Sequence, residues 1–160
     1  MTSLFLLVVF LVLQVVYSCP NGYHQHNGSC YAVVPIRTTW PNAVTYFRTS
    51  DNTYCKAIGG YLSVVDGAVE RNYLKQYINS KYGSQFNYYW IGGLNYVDGS
   101  WVWSGSVRTI DHLMWNPGDP SGRPGEKCLM MVQKSDYLFS DFECDAKNAF
   151  VCETQDKRAQ

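Results

Sequence analysis

The spacing of apolar positions changes several times along the chain. Residues 4–16, LFLLVVFLVLQVV, form an unbroken apolar run apart from one glutamine, and no charged residue precedes Cys19. An apolar core of this length followed by Ser18 reads as a secretory signal peptide, residues 1–18, cleaved before Cys19. The run is shorter than the roughly 17–25 residues that span a bilayer. No later apolar run is long enough to cross one, so no membrane insertion is expected.

Beyond Cys19 the pattern breaks into short segments. Asn27-Gly28 separates two short stretches bounded by Cys19 and Cys30 and predicts a tight hairpin. Trp40, Ala43, Val44 and Phe47 recur at three- and four-residue spacing and predict a first helix, which the polar run RTSDNTY, residues 48–54, interrupts before Cys55. GGYLSVV, residues 59–65, predicts a short strand or extended connection. A second helix is predicted over DGAVERNYLKQYINSKYG, residues 66–83. Asp66 is placed to cap it, Glu70 lies in its first turn, and Val69, Tyr73, Leu74, Tyr77 and Ile78 form an apolar stripe. After Gly83 the period shortens to that of strands. YYWIGGL reads as a covered strand, and Asp98-Gly99 marks a turn. SWVWSG alternates so that Trp101 and Trp103 share one side. CLMMV and AFVCE are further strands, and the last residues, 154–160, read as a solvated tail. Helices early and strands later predict an α+β domain over residues 19–153.

Composition narrows the function classes. Lysine plus arginine equals aspartate plus glutamate, 13 each, so the chain lacks the basic surplus that nucleic-acid binding needs. All six cysteines follow the cleavage site, which in a secreted chain implies three disulfides out of fifteen pairings. No CxxC pair supports a zinc site. His24 and His26 share one strand face, where an exposed polar edge is the commoner role of such a pair. Asn27-Gly28-Ser29 is an N-glycosylation acceptor at Asn27. HExxH, GxSxG and P-loop patterns are missing from the sequence, and no enzyme activity is expected.

The ordered set CPNGYHQHNGSCY, Trp40 with Ala43, GGYLSVV, WIGGLNYVDGSWVWSGS, WNPGDPSGRPGEKC, FSDFEC and FVCE resembles the C-type lectin-like domain, in particular the short secreted invertebrate lectins of perlucin-like type. The resemblance covers Cys19 to about Glu153. It implies two helices packed on small antiparallel sheets, long disulfide-pinned loops, and the pairs Cys19–Cys30, Cys55–Cys152 and Cys128–Cys144. One departure is visible: Phe47 stands near the place where the family's first helix ends in a cysteine. Residues 48–54 then read as an insertion, with Cys55 keeping the bridging role.

The resemblance also implies a Ca2+ site. Its positions are Asp119, Ser121, Glu126, Ser140 and Asp141, and the same residues are the implied carbohydrate contacts. Three carboxylates supply charge for a divalent cation that takes six to eight oxygens. Ser121 and Ser140 replace amide-bearing family residues, and a hydroxyl is a poorer ligand than an amide oxygen. The expectation is a weak Ca2+-dependent lectin acting outside the cell in innate defence or extracellular matrix. Asp119-Pro120-Ser121 matches neither the mannose-type nor the galactose-type triplet, so the sugar is not specified. Trp115 is a candidate for stacking on a sugar or for the core. A non-carbohydrate interaction or biomineral protein of the same fold is the alternative, and homo-oligomer formation is left open.

Overall fold

The computed structural model describes residues 19–45, 55–96, 98–106 and 108–155. The signal segment 1–18, the insertion 48–54 and the tail from residue 156 lie outside the described residues. Strands β1 (His24–His26), β2 (Ser29–Thr38), β3 (Tyr61–Leu62), β4 (Tyr88–Asn95), β5 (Trp101–Trp103), β6 (Glu126–Val132), β7 (Leu138–Glu143) and β8 (Asn148–Gln155) accompany helices α1 (Trp40–Thr45) and α2 (Ala68–Tyr82). The expected small antiparallel sheets are joined into one mixed network in the order β1-β2-β8-β4-β6-β7, with β3 on β8 and β5 on β4. The joint is a short parallel contact, in which Tyr89 and Trp90 face Ala149 and Phe150. Strand β8 pairs as far as Gln155, two residues beyond the expected domain boundary, and Thr154 is buried.

Period-two alternation builds two cores from one set of strands. Odd-numbered Tyr31, Val33, Tyr89, Ile91, Leu129, Met131 and Val151 pack with Leu74, Tyr77 and Ile78 of α2. Even-numbered Ala32, Trp90, Met130, Phe150 and Cys152 pack with Ala43 of α1 and Leu62. The glycine pair in WIGGL is required by close packing. A Cβ on Gly92 would lie 2.6 Å from the Leu62 carbonyl oxygen, and one on Gly93 2.4 Å from Leu129 Cδ2. Disulfides Cys19–Cys30, Cys55–Cys152 and Cys128–Cys144 cross-link the hairpin, the segment after α1 to β8, and the loop side. Cross-links of this kind stabilise mainly by restricting the unfolded chain.

Several local expectations are corrected. Val69, assigned to the apolar stripe, is 70% exposed, and the buried face of α2 begins at Leu74. Asp66 does not cap the helix; Gly67 stands at the cap, and the Glu70 carboxylate reaches back to accept the Asp66 backbone N–H at 2.5 Å. The acid inside the helix thus satisfies the N–H of the residue just before the cap, one position earlier than in a capping box. The Asp66 side chain pairs instead with Arg108. At the hairpin, Asn27 and Gly28 both take positive φ, the conformation a two-residue turn demands. His24 packs against Tyr77 and His26 stacks on Tyr73 at 3.9 Å, so both rings of β1 face α2.

Candidate functional site

Between β5 and β6 the described residues 104–106 and 108–125 belong to a long loop. Buried Ile110 and Met114 anchor its first half. Trp115 follows, edge-on to Trp101 and Phe139, and forms a parallel bridge to Phe139. Trp115 therefore serves the core and does not line the groove described next. The Asn116 N–H donates to the Phe139 carbonyl at 2.8 Å, which fixes the start of the proline-glycine segment beside β7. Turns at Asn116–Asp119 and Arg123–Glu126 then fold the segment back, and the Asp119–Pro120 peptide is cis.

This path brings all five expected residues, Asp119, Ser121, Glu126, Ser140 and Asp141, to one groove of about 360 Å³ between the loop and the β6–β7 ladder. That volume is at the small end of the roughly 300–1,000 Å³ typical of ligand clefts. Asp141 is only 3% exposed. Its carboxylate accepts the Ser121 backbone N–H at 2.8 and 2.9 Å, the Gly122 N–H at 3.4 Å and the Ser121 hydroxyl at 3.2 Å. A buried carboxylate is tolerated when charge-assisted bonds of this kind replace water. With its single proton the Ser121 hydroxyl is shared between Asp141 and Glu126, and the Ser140 hydroxyl donates to Asp119 at 2.6 Å. Arg123 supplies the nearby positive charge, 3.7 Å from Glu126, and is itself exposed. Glu143 faces Glu126 across the ladder and adds to the negative character of this end.

The donor directions decide how well a calcium ion suits this arrangement. Calcium needs six to eight oxygens presenting lone pairs to one point. Here hydroxyl and backbone protons fill the space between the carboxylates, and among the described residues no three acidic, histidine or cysteine side chains converge as a metal site. An ion would require the Ser121 and Ser140 hydroxyls to turn their protons away from the carboxylates first. The set as arranged does not fit calcium, and no step below passes through it.

Two exposed aromatics line the same groove: Phe142, 40% exposed, opposite Cys128 near the Glu126 end, and Tyr88, 43% exposed, opposite Val132 at the far end, with Met130 between them. Sequence reasoning passed over both aromatics. Tyr88 reads as part of a covered apolar strand, and Phe142 is given no role within the FSDFEC segment.

A sequence profile of the lectin C-type domain matches residues 45–154. The chain belongs to the C-type lectin domain family. Perlucin of Haliotis laevigata is 30% identical over 141 residues, covering 86% of this chain and 83% of perlucin. Among solved structures, this lectin domain is similar to an SPL-1–GlcNAc complex, with TM-score 0.70 and 25% identity over 85% of this chain and 94% of the other. It is equally similar to a calcium-independent type II antifreeze protein, with TM-score 0.70 and 25% identity over 86% and 95% of the two chains. The solved neighbours thus include one complexed with GlcNAc and one described as independent of calcium. Among the described residues no helix is long and apolar enough to cross a membrane.

Proposed function

We propose that this C-type lectin domain binds carbohydrate directly in the groove between the 116–126 loop and strands β6 and β7. The observation that carries the reading is that the exposed Phe142 and Tyr88 rings line the same open cleft as the Asp119 and Glu126 acceptors. Carboxylates only accept hydrogen bonds, so Asp119 and Glu126 suit sugar hydroxyl donors, while the Arg123 guanidinium donates to ring or glycosidic oxygens. Phe142 and Tyr88 supply apolar faces for the C–H side of a pyranose ring. The buried Asp141 carboxylate holds the loop through Ser121 and Gly122, so that the groove stays formed without a ligand. The SPL-1–GlcNAc complex supports the reading by showing a saccharide on a neighbour of this fold. Three disulfides suit the oxidising conditions of a secreted protein, in keeping with a signal peptide over residues 1–18.

The test is calorimetric titration of the mature, oxidised protein with neutral oligosaccharides, once in chelator and once in millimolar calcium. Saccharide bound in chelator, and weakened by Asp119→Asn, is the expected result. Binding seen only with calcium would overturn the direct contact and restore Asp119, Ser121, Glu126, Ser140 and Asp141 as ion ligands. No saccharide bound under either condition would overturn the groove as a carbohydrate site.

A further inference from the structure

A second cleft, of about 310 Å³, opens where the ends of three strands meet. Arg37 comes from β2, Tyr88 from β4 with Phe86 and Asn87 just before it, and Lys147 and Asn148 from the start of β8. The register explains the meeting: Thr38 pairs with Asn148, and the parallel β4–β8 contact begins one residue later, at Tyr89 and Ala149. The β2–β8 register slips between Val34 and Thr38, and Arg37 lies in that irregular stretch.

The lining carries two cations and no acid. Among the described residues neither Arg37 nor Lys147 forms an ion pair, although Glu143 and Asp145 lie close by in sequence. The Arg37 guanidinium sits 5.6 Å from the centre of the Phe86 ring, which orients the group while leaving its N–H donors to the cleft. Asn87 and Asn148 add amides. A guanidinium, an ammonium and amide donors around one recess form an acceptor site for a compact oxyanion, because the planar Arg fork matches two oxygens at once.

Tyr88 lines this cleft and also the groove that holds Asp119, Glu126 and Phe142. One aromatic wall therefore separates a basic recess from an acidic groove. We propose that the recess is an anion subsite. It takes a sulfate or carboxylate on one residue of a glycan whose neighbouring, uncharged residue lies in the acidic groove across Tyr88. Opposite charges on the two sides would also set the direction of the chain, since the reversed placement puts the anion beside Asp119, Glu126 and Asp141. That the anion is borne by a glycan rests on the carbohydrate reading above; the charge of the recess does not.

Three probes separate the sources: a sulfated oligosaccharide, its desulfated form, and a polyuronate oligomer of similar length. Vesicles of neutral lipid containing an anionic phospholipid form a fourth arm. Wild-type protein should bind a sulfated or uronate oligomer about tenfold more tightly than the neutral form, as one charge-assisted contact provides. The gain should shrink as salt is raised. Arg37→Ala combined with Lys147→Ala should erase the gain and leave affinity for the neutral oligomer unchanged. Both positions are exposed, so the variant keeps the fold, and circular dichroism checks this. Equal affinity for charged and neutral oligomers in wild type would overturn the proposal. So would a gain that survives the double variant, or vesicle binding stronger than binding to either charged oligomer. If charged oligomers bind through Arg37 and Lys147 while neutral ones do not bind at all, the anion subsite stands and the groove reading falls.

Discussion

Two trios of carboxylates sit in different parts of the domain, and they are used differently. On the loop side, Asp119, Glu126 and Asp141 line an open groove. On the helix side, Asp66, Glu70 and Glu153 gather where α2 meets β2, β3 and β8, and none of the three lines a cleft described above. Glu153 accepts the Ser29 hydroxyl at 2.7 Å and the Val64 N–H at 3.0 Å. Glu70 accepts from the Tyr31 hydroxyl and the Asp66 N–H, and Arg108 pairs with Asp66. Burial, opposed by the Asp66 N–H and reinforced by neighbouring Glu153, pushes the Glu70 carboxyl up to about 7. The helix-side acids are thus structural groups tying a helix to a sheet. A trio of acids is therefore not what marks a site; what distinguishes the loop side is open volume and an aromatic wall beside the acceptors.

The comparison breaks most visibly at Asp141. Asp141→Ala strands the Ser121 and Gly122 N–H groups, and the expected loss is on the order of 3 kcal/mol of stability together with saccharide binding. Denaturant unfolding and titration read the two effects. A variant that keeps both would remove Asp141 from its role in holding the loop. On the helix side, Glu70→Gln should change the pH profile and leave binding intact. Because the folded-state value lies above the ordinary 4.5, the native state holds a proton that the unfolded chain releases between about 4.5 and 7. This contribution to stability is full below 4.5 and is lost as pH rises through 7. Melting temperature in wild type should fall over that interval, and Glu70→Gln should flatten the fall. A parallel pH profile in the variant would mean that Glu70 titrates normally. The smallest effect belongs to Phe142→Ala. It should weaken saccharide binding by about 1 kcal/mol, roughly fivefold, with stability within about 0.5 kcal/mol of wild type. Unchanged affinity would take Phe142 out of the site.

Much of the architecture was legible in the sequence because it rests on spacing. Leu74, Tyr77 and Ile78 mark the buried face of α2 by helical period, and Trp101 and Trp103 share a side by strand period. Val69 misled because a periodic position in the first helical turn need not reach the core. Asp66 misled because the helix starts one residue later, with Gly67 at the cap, and the Asp66 side chain is drawn to Arg108 instead. The five groove residues were found through the resemblance, but the directions of their hydroxyl protons depend on contacts between loop and strand. The basic recess had no sequence signal. Arg37, Phe86 and Lys147 are far apart in the chain and meet only where β2, β4 and β8 end together.

The central claim is that the groove beside Phe142 binds saccharide directly. Backbone amide chemical-shift mapping of the oxidised protein, titrated with a neutral oligosaccharide in chelator, tests it most directly. The account predicts perturbations concentrated at Ser121, Gly122, Ser140 and Phe142, with Tyr88 at their edge. Perturbations absent there and centred instead on α2 and β1, around His26 and Tyr73, would contradict it.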